Sequence, residues 1–77
     1  MLKIILPDLG DGITQAKIVH WNFQEGQRVS PEDDVVELVT DKAVFNVPAP
    51  AEGGVIKKIY YKEGQEAPVG SVLADLV

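Results

Sequence analysis

No cysteine occurs anywhere in the 77 residues. Disulfide staples, Cys-type zinc sites and thiol catalysis are therefore excluded, and a core of this size has to hold by packing alone. Positive charge is scarce as well. Seven Lys and Arg stand against twelve Asp and Glu, for a net charge of -5. That balance disfavours nucleic acid and anionic membrane surfaces as partners and suits a basic protein surface. Long apolar runs are also missing. None approaches the roughly 18 residues of a membrane-spanning helix, and the apolar stretch 2–6 after Met1 is too short for a secretory signal and lacks a cleavage site. No low-complexity tract, linker or sustained helical period is present.

What the chain does contain is a repeat. Glu25-Gly26-Gln27 returns as Glu63-Gly64-Gln65, 38 positions on, and Glu37-Leu38-Val39 returns at the same offset as Asp75-Leu76-Val77. Upstream of each Glu-Gly pair the apolar residues match too: Ile18, Trp21 and Phe23 against Ile56, Ile59 and Tyr61. Both series step by three and then by two. A strand alternates faces with period two, so the step of three predicts a β-bulge in each half. Near the start of the halves, Leu6-Pro7 is matched to Val47-Pro48 at an offset of 41, which gives the first half three extra residues in loop 8–15 relative to loop 49–54. That loop, with two glycines and two aspartates, should be the longer and more exposed. Loops on rigid scaffolds often carry recognition.

Apolar and β-branched runs at 2–6, 17–23, 35–40, 43–47, 55–61 and 72–76, separated by Gly, Pro, Asp and Ser clusters, read as strands. Short strands at 28–29 and near 66–67 would bring each half to about four. The expected fold is all-β: a small sandwich or flattened barrel in which the two halves close on one another about a pseudo-twofold axis. The expected core is Leu6, Ile18, Trp21, Phe23, Val29, Leu38, Phe45, Val47, Ile56, Ile59, Tyr61 and Leu76.

Between the halves lies Thr40-Asp41-Lys42-Ala43. A lysine at the tip of a tight turn, with small or turn-forming neighbours, is open to an enzyme that attaches a group to its amine. The symmetry-equivalent segment follows Val77, so the termini should lie at the far end from Lys42. Asp41 suits such a turn by itself.

These residues are similar to the lipoyl domains of the acyltransferase components of 2-oxo acid dehydrogenase complexes. The likeness rests on Leu6-Pro7-Asp8-Leu9-Gly10-Asp11-Gly12-Ile13, Trp21, Glu25-Gly26, Asp41-Lys42-Ala43, Val47-Pro48, Gly53 and Gly54, and it covers essentially the whole chain. The family often has Glu where this chain has Asp11, and the turn at Ser30-Pro31-Glu32-Asp33 also varies within it. The resemblance implies a flattened β-barrel of two four-stranded antiparallel sheets. It implies lipoic acid in amide linkage on Lys42, with Asp41 and Ala43 recognised around the turn; the longer loop 8–15, with Gly10, Asp11 and Gly12, is the candidate for partner selection.

The implied function is a swinging arm, non-catalytic in itself. Its partners would be a lipoate ligase or lipoyl transferase, a thiamine-dependent 2-oxo acid decarboxylase, the acyltransferase core and dihydrolipoamide dehydrogenase. Tethering would raise the carrier's effective concentration at each of their active sites. On this reading residues 1–77 form a single carrier domain excised from a longer acyltransferase, in a bacterial cytoplasm or, in a eukaryote, the mitochondrial matrix.

Other features carry blander readings. His20, with no second ligand or nucleophile near it in sequence, is expected to be a surface or partly packed histidine, and Trp21 a core residue. Glu32, Asp33 and Asp34 lack the oxygen spacing of a calcium loop and read as a solvated acidic turn. Gly10-Asp11-Gly12 has no following helix or phosphate-binding lysine. Three rivals stay open: a biotinyl carrier, whose lysine is flanked by methionines; the glycine-cleavage carrier, which is longer; and an unmodified interaction module of similar shape.

Overall fold

The computed structural model describes residues 2–77. Eight strands follow one another: β1 (Leu2–Ile5), β2 (Gln15–Trp21), β3 (Arg28–Val29), β4 (Asp34–Val39), β5 (Val44–Pro48), β6 (Gly54–Ile59), β7 (Glu66–Pro68) and β8 (Val72–Leu76). They form two four-stranded antiparallel sheets, ordered β1-β8-β6-β3 and β5-β4-β2-β7. Replacing each strand of the first order by its counterpart in the other half yields the second order, so the pseudo-twofold axis is present. Each sheet nevertheless draws two strands from each half. The halves interlock; they do not close as two separate layers.

The repeated triplets make that interlock. Gly26 N–H donates to Ile56 O at 2.7 Å and Ile56 N–H to Gln27 O at 2.9 Å; in the other half Gly64 N–H donates to Ile18 O and Ile18 N–H to Gln65 O, both at 2.8 Å. Each glycine sits at φ +90°, where a side chain would be strained. Each glutamine closes its own turn, with Gln27 Oε1 accepting from Gln24 N–H and Gln65 Oε1 from Lys62 N–H. Each glutamate extends the ladder by one acceptor: Glu25 takes Ile59 N–H at 2.8 Å and Glu63 takes Trp21 N–H at 3.3 Å. Three residue types recur because three backbone tasks recur.

The bulges fall at equivalent places. In β2 the register slips between Ile18 and His20, and in β6 between Ile56 and Lys58. Ile18 and Ile56 point inward with no exposure, while Val19, His20, Lys57 and Lys58 all face out. The step of three thus has its cause in an extra outward residue.

One matched pair was displaced by two residues. Ile4 lies opposite Ala74 and Val47 opposite Val36, and positions 74 and 36 are themselves equivalents. Leu6 N–H donates to Ser71 O as Ala49 N–H does to Asp33 O. Leu6-Pro7 therefore corresponds to Ala49-Pro50, not to Val47-Pro48, and the first-half loop carries five extra residues where three were expected. Two prolines two positions apart, Pro48 and Pro50, made the wrong match look right.

The core contains eight of the twelve expected residues as buried members: Leu6, Ile18, Trp21, Val29, Leu38, Val47, Ile56 and Leu76. Phe23, Phe45, Ile59 and Tyr61 pack against it but are only half-buried. Ile4, Ala16, Val35, Val36, Ala49, Ala67, Leu73 and Ala74 are buried in addition. The small alanines fill space where the two sheets approach, and each large aliphatic side chain contributes about 1.5–3 kcal/mol by leaving water.

The turn between β4 and β5 lies at the far end from the termini. Val55 exchanges both backbone hydrogen bonds with Val77, and Leu2 pairs with Leu76, which sets both ends of the described chain together. From Val55 the chain runs through β6 and β7 in one direction along a molecule 32 Å long. It arrives at Glu66, which pairs with Lys17, itself opposite Val39. Thr40 follows directly.

Candidate functional site

Thr40 closes the turn at this end. Its N–H donates to Ala43 O at 2.9 Å, and its Oγ1 accepts from Lys42 N–H at 3.1 Å and from Ala43 N–H at 3.2 Å. A threonine hydroxyl bonding backbone two and three residues on is a local alternative to regular pairing and holds a tight bend. Asp41 suits a turn by residue type, but the side chain that bonds the turn's backbone is that of Thr40; among the described residues the Asp41 carboxylate has no hydrogen-bond or ion-pair partner. Asp41, Lys42 and Ala43 are all exposed, and Lys42 Nζ has no partner among the described residues. An exposed, unpartnered primary amine at a rigid tip is what amide formation by a separate enzyme requires.

Beside the turn lies a groove of about 380 Å³. It is lined by Gly12, Ile13, Thr14, Gln15, Ala16 and Lys17 together with Val39, Thr40, Asp41 and Glu66. The fold therefore brings the end of loop 8–15 against the lysine turn, though nearly thirty residues separate them in sequence. Gly12 and Asp41 both line this groove, whereas Gly10 and Asp11 lie outside its lining. Asp8 Oδ1 accepts from Gly10 N–H at 3.0 Å, and Ile13 N–H donates to Gly10 O at 3.3 Å, so the loop is folded on itself. Its base is tied to the β7–β8 connection by Val69 N–H to Thr14 O and Gly70 N–H to Leu6 O.

A larger cleft, about 630 Å³, is lined by Trp21, Gln24, Glu25, Ile59, Lys62 and Glu63. These are three symmetry-related pairs, so the cleft marks the pseudo-twofold axis. Both glutamates are already engaged with backbone N–H groups there. His20 is exposed, as expected, with Nδ1 2.9 Å from Glu63 Oε2. Trp21 Nε1 donates to Tyr61 O at 2.8 Å from a buried ring. In the acidic turn Asp33 Oδ2 accepts from Ser30 N–H, and among the described residues no group of three potential ligands is placed to hold a metal ion.

A second cluster went unnoticed in the sequence. Asp75 is buried on the outer face of the first sheet, where Tyr60 Oη donates to Oδ2 at 2.5 Å and Lys3 Nζ lies 3.1 Å from Oδ1. The tyrosine hydroxyl bond holds the Asp75 carboxyl below its ordinary pKa; partial burial opposes this, and Lys3 and Lys57 reinforce it. The same bond, with burial and the Asp75 charge, raises the Tyr60 hydroxyl above its ordinary value. Alternation within β8 was the one available signal, since Asp75 sits between inward-facing Ala74 and Leu76.

Comparison with known proteins gives a consistent neighbourhood. The family described as "Biotin-requiring enzyme" matches residues 2–76. The chain is 33% identical, over 76 residues, to the dihydrolipoyllysine-residue succinyltransferase component of the 2-oxoglutarate dehydrogenase complex from Buchnera aphidicola subsp. Schizaphis graminum, covering 99% of this chain and 19% of that protein. It is 34% identical, over 71 residues, to the dihydrolipoyllysine-residue acetyltransferase component of the pyruvate dehydrogenase complex from Staphylococcus aureus, covering 92% and 16% respectively. It therefore spans less than a fifth of the length of these relatives. The solved lipoyl domain of the 2-oxoglutarate dehydrogenase complex from Azotobacter vinelandii superposes with a TM-score of 0.80 at 28% identity, covering 100% of this chain and 96% of that one.

Proposed function

The chain belongs to the biotin- and lipoyl-attachment family, and we propose on that footing that it is a lipoyl carrier domain whose Lys42 takes lipoic acid in amide linkage. The observation that carries this reading is the exposed, unpartnered Lys42 amine on a turn pinned by Thr40, at the end away from the termini. The fold and the neighbours of Lys42 fit that group: the residue is exposed, and among the described residues no carboxylate is paired with its amine. Lipoate is favoured over biotin by Asp41 and Ala43 in the flanking positions, where biotinyl carriers have methionines, and by relatives named as dihydrolipoyllysine acyltransferase components.

When attached, lipoic acid supplies a dithiolane able to take up an acyl group together with two electrons. The chain's own residues have simpler tasks. Thr40 fixes the direction in which Lys42 leaves the domain, and the two interlocked sheets make a rigid base for that direction. Asp41, Ala43 and the loop bearing Gly10, Asp11 and Gly12 offer the surface a ligase and a thiamine-dependent decarboxylase would read. The termini lie far from the arm, so a tether to an acyltransferase core leaves Lys42 free to reach that core and dihydrolipoamide dehydrogenase in turn. The domain would be one module of a longer acyltransferase, in a bacterial cytoplasm or a mitochondrial matrix.

Incubation with lipoate ligase and, separately, with biotin ligase tests the proposal by intact and peptide mass spectrometry. A lipoyl adduct confined to Lys42, absent in Lys42→Arg, is the expected outcome, and the variant should keep its stability within about 0.5 kcal/mol because the side chain is exposed. A biotin adduct would move the chain to the biotinyl carriers. No adduct on the folded domain would leave an unmodified interaction module.

A further inference from the structure

The outer face of the β1-β8-β6-β3 sheet has the opposite charge to the rest of the molecule. Lys3, Asp75 and Lys58 lie side by side on β1, β8 and β6. The bulge in β6 adds Lys57 to the same face, close enough to act on Asp75. Arg28 on β3 pairs with Val55, and since Val29 and Ile56 both point inward, Arg28 and Val55 point out beside Val77. Four of the chain's seven cations thus share one sheet face, with Asp75 the only carboxylate on these strands' outward positions. That carboxylate is already answered by Lys3 and by the Tyr60 hydroxyl, which leaves Lys57, Lys58 and Arg28 exposed and, among the described residues, without an ion-pair partner. Tyr60 is 43% exposed, and its ring lies 5.0 Å from Lys58 Nζ.

The pseudo-twofold axis supplies an internal control. At the equivalent positions of the second sheet, Lys3 becomes Asn46, Lys57 becomes Val19, Lys58 becomes His20, Arg28 becomes Glu66 and Asp75 becomes Glu37. The same backbone folds with none of those cations, so the fold does not need them. Like charges packed on one sheet face repel, and an uncompensated cluster on a chain of net charge -5 is unexplained by stability or solubility.

We propose that this face docks an acidic polypeptide segment of a partner protein, with carboxylates meeting Lys57, Lys58 and Arg28 and an apolar or aromatic contact on Tyr60. Charge complementarity selects a short carboxylate-bearing segment over nucleic acid. A segment reads only the local face, because at physiological salt charges beyond about 8 Å are screened; a long polyanion would also meet the acidic remainder. The face lies on the sheet that does not carry the Lys42 turn, so a partner held there leaves the lysine open.

The experiment is a titration of the isotopically labelled chain with a hexaglutamate peptide, followed by amide chemical shifts at low and at physiological ionic strength. Shifts should centre on Lys3, Arg28, Lys57, Lys58 and Tyr60, and weaken as salt rises. Lys57→Glu with Lys58→Glu should weaken binding about tenfold or more, while Lys62→Glu, outside the face, leaves it unchanged. Shifts centred elsewhere, no shifts, equal affinity for a single-stranded DNA oligomer, or concentration-dependent shifts at the same residues without peptide would each overturn the proposal, the last in favour of a second copy of the chain. Ligase modification of Lys42 in the double variant reads the carrier function separately, and should be unaffected.

Discussion

Lys42 owes its availability to a neighbour. Its own side chain is exposed and has no ion-pair partner among the described residues, and the turn beneath it depends on the Thr40 hydroxyl accepting two backbone N–H groups. Thr40→Val keeps the shape and removes that acceptor, so it should cost about 0.5–1.5 kcal/mol in urea unfolding and slow modification of Lys42 by the ligase. An unchanged modification rate would mean that the turn is held by strand pairing alone. At the opposite sheet, Asp75 and Tyr60 set a pH window. Because the folded pKa of Asp75 is lowered, its contribution is complete above about pH 4 and is lost as pH falls through the folded value. Because that of Tyr60 is raised, its contribution is complete below about pH 10 and is lost as pH rises beyond it. Tyr60→Phe should therefore remove the alkaline loss and reduce the acid loss, as read from urea midpoints across pH.

Among the elements, the turns are more demanding than the strands. Gly53 precedes β6 at φ +67°, and a Cβ there would stand 2.8 Å from Val29 O and 3.3 Å from Pro31 Cδ. Gly53→Ala should accordingly lose about 2 kcal/mol or more of stability. Gly12→Ala, at φ +79° in open space, carries only the backbone strain and should lose about 1 kcal/mol. Equal losses at the two sites in denaturant titrations would show that backbone conformation, and not the close approach to β3, decides both. The strand positions were legible from alternation, and so were the bulges, because an extra residue changes the spacing of inward side chains from two to three. The half-burial of Phe23, Phe45, Ile59 and Tyr61 was not legible. Phe45 lies on the edge strand β5, Ile59 ends β6, and Phe23 and Tyr61 lie just past the ends of β2 and β6; alternation reports which side a residue faces but not how far the opposite sheet extends.

At the scale of the molecule, each sheet requires both halves. Neither half alone can complete a four-stranded sheet, and the Glu-Gly-Gln turn of each half bonds to a strand of the other. Fragments 1–41 and 42–77 should each be unfolded by circular dichroism and amide chemical-shift dispersion, and should regain native dispersion on mixing. A folded isolated fragment would contradict the interlock. The candidate site draws on the interlock only in part: the groove beside Lys42 joins loop 8–15 to the β4–β5 turn through pairing of β2 with β4, both of the first half, and the second half adds Glu66 through pairing of β7 with β2.

By itself the sequence determined the local features: eight strands, two bulges, a repeat with its axis, and one lysine at the turn between the halves. All follow from short-range physics, namely alternation, turn chemistry and spacing within a few residues. Three matters waited for the tertiary structure. Strand partners were one, because a β-strand's neighbours are chosen by long-range hydrogen bonding that spacing does not encode. The true correspondence of Leu6-Pro7 with Ala49-Pro50 was another, visible only once β1 and β5 were seen against their partners. The basic face was the third: Lys3, Arg28 and the Lys57-Lys58 pair are far apart along the chain, and cross-strand register alone makes them neighbours.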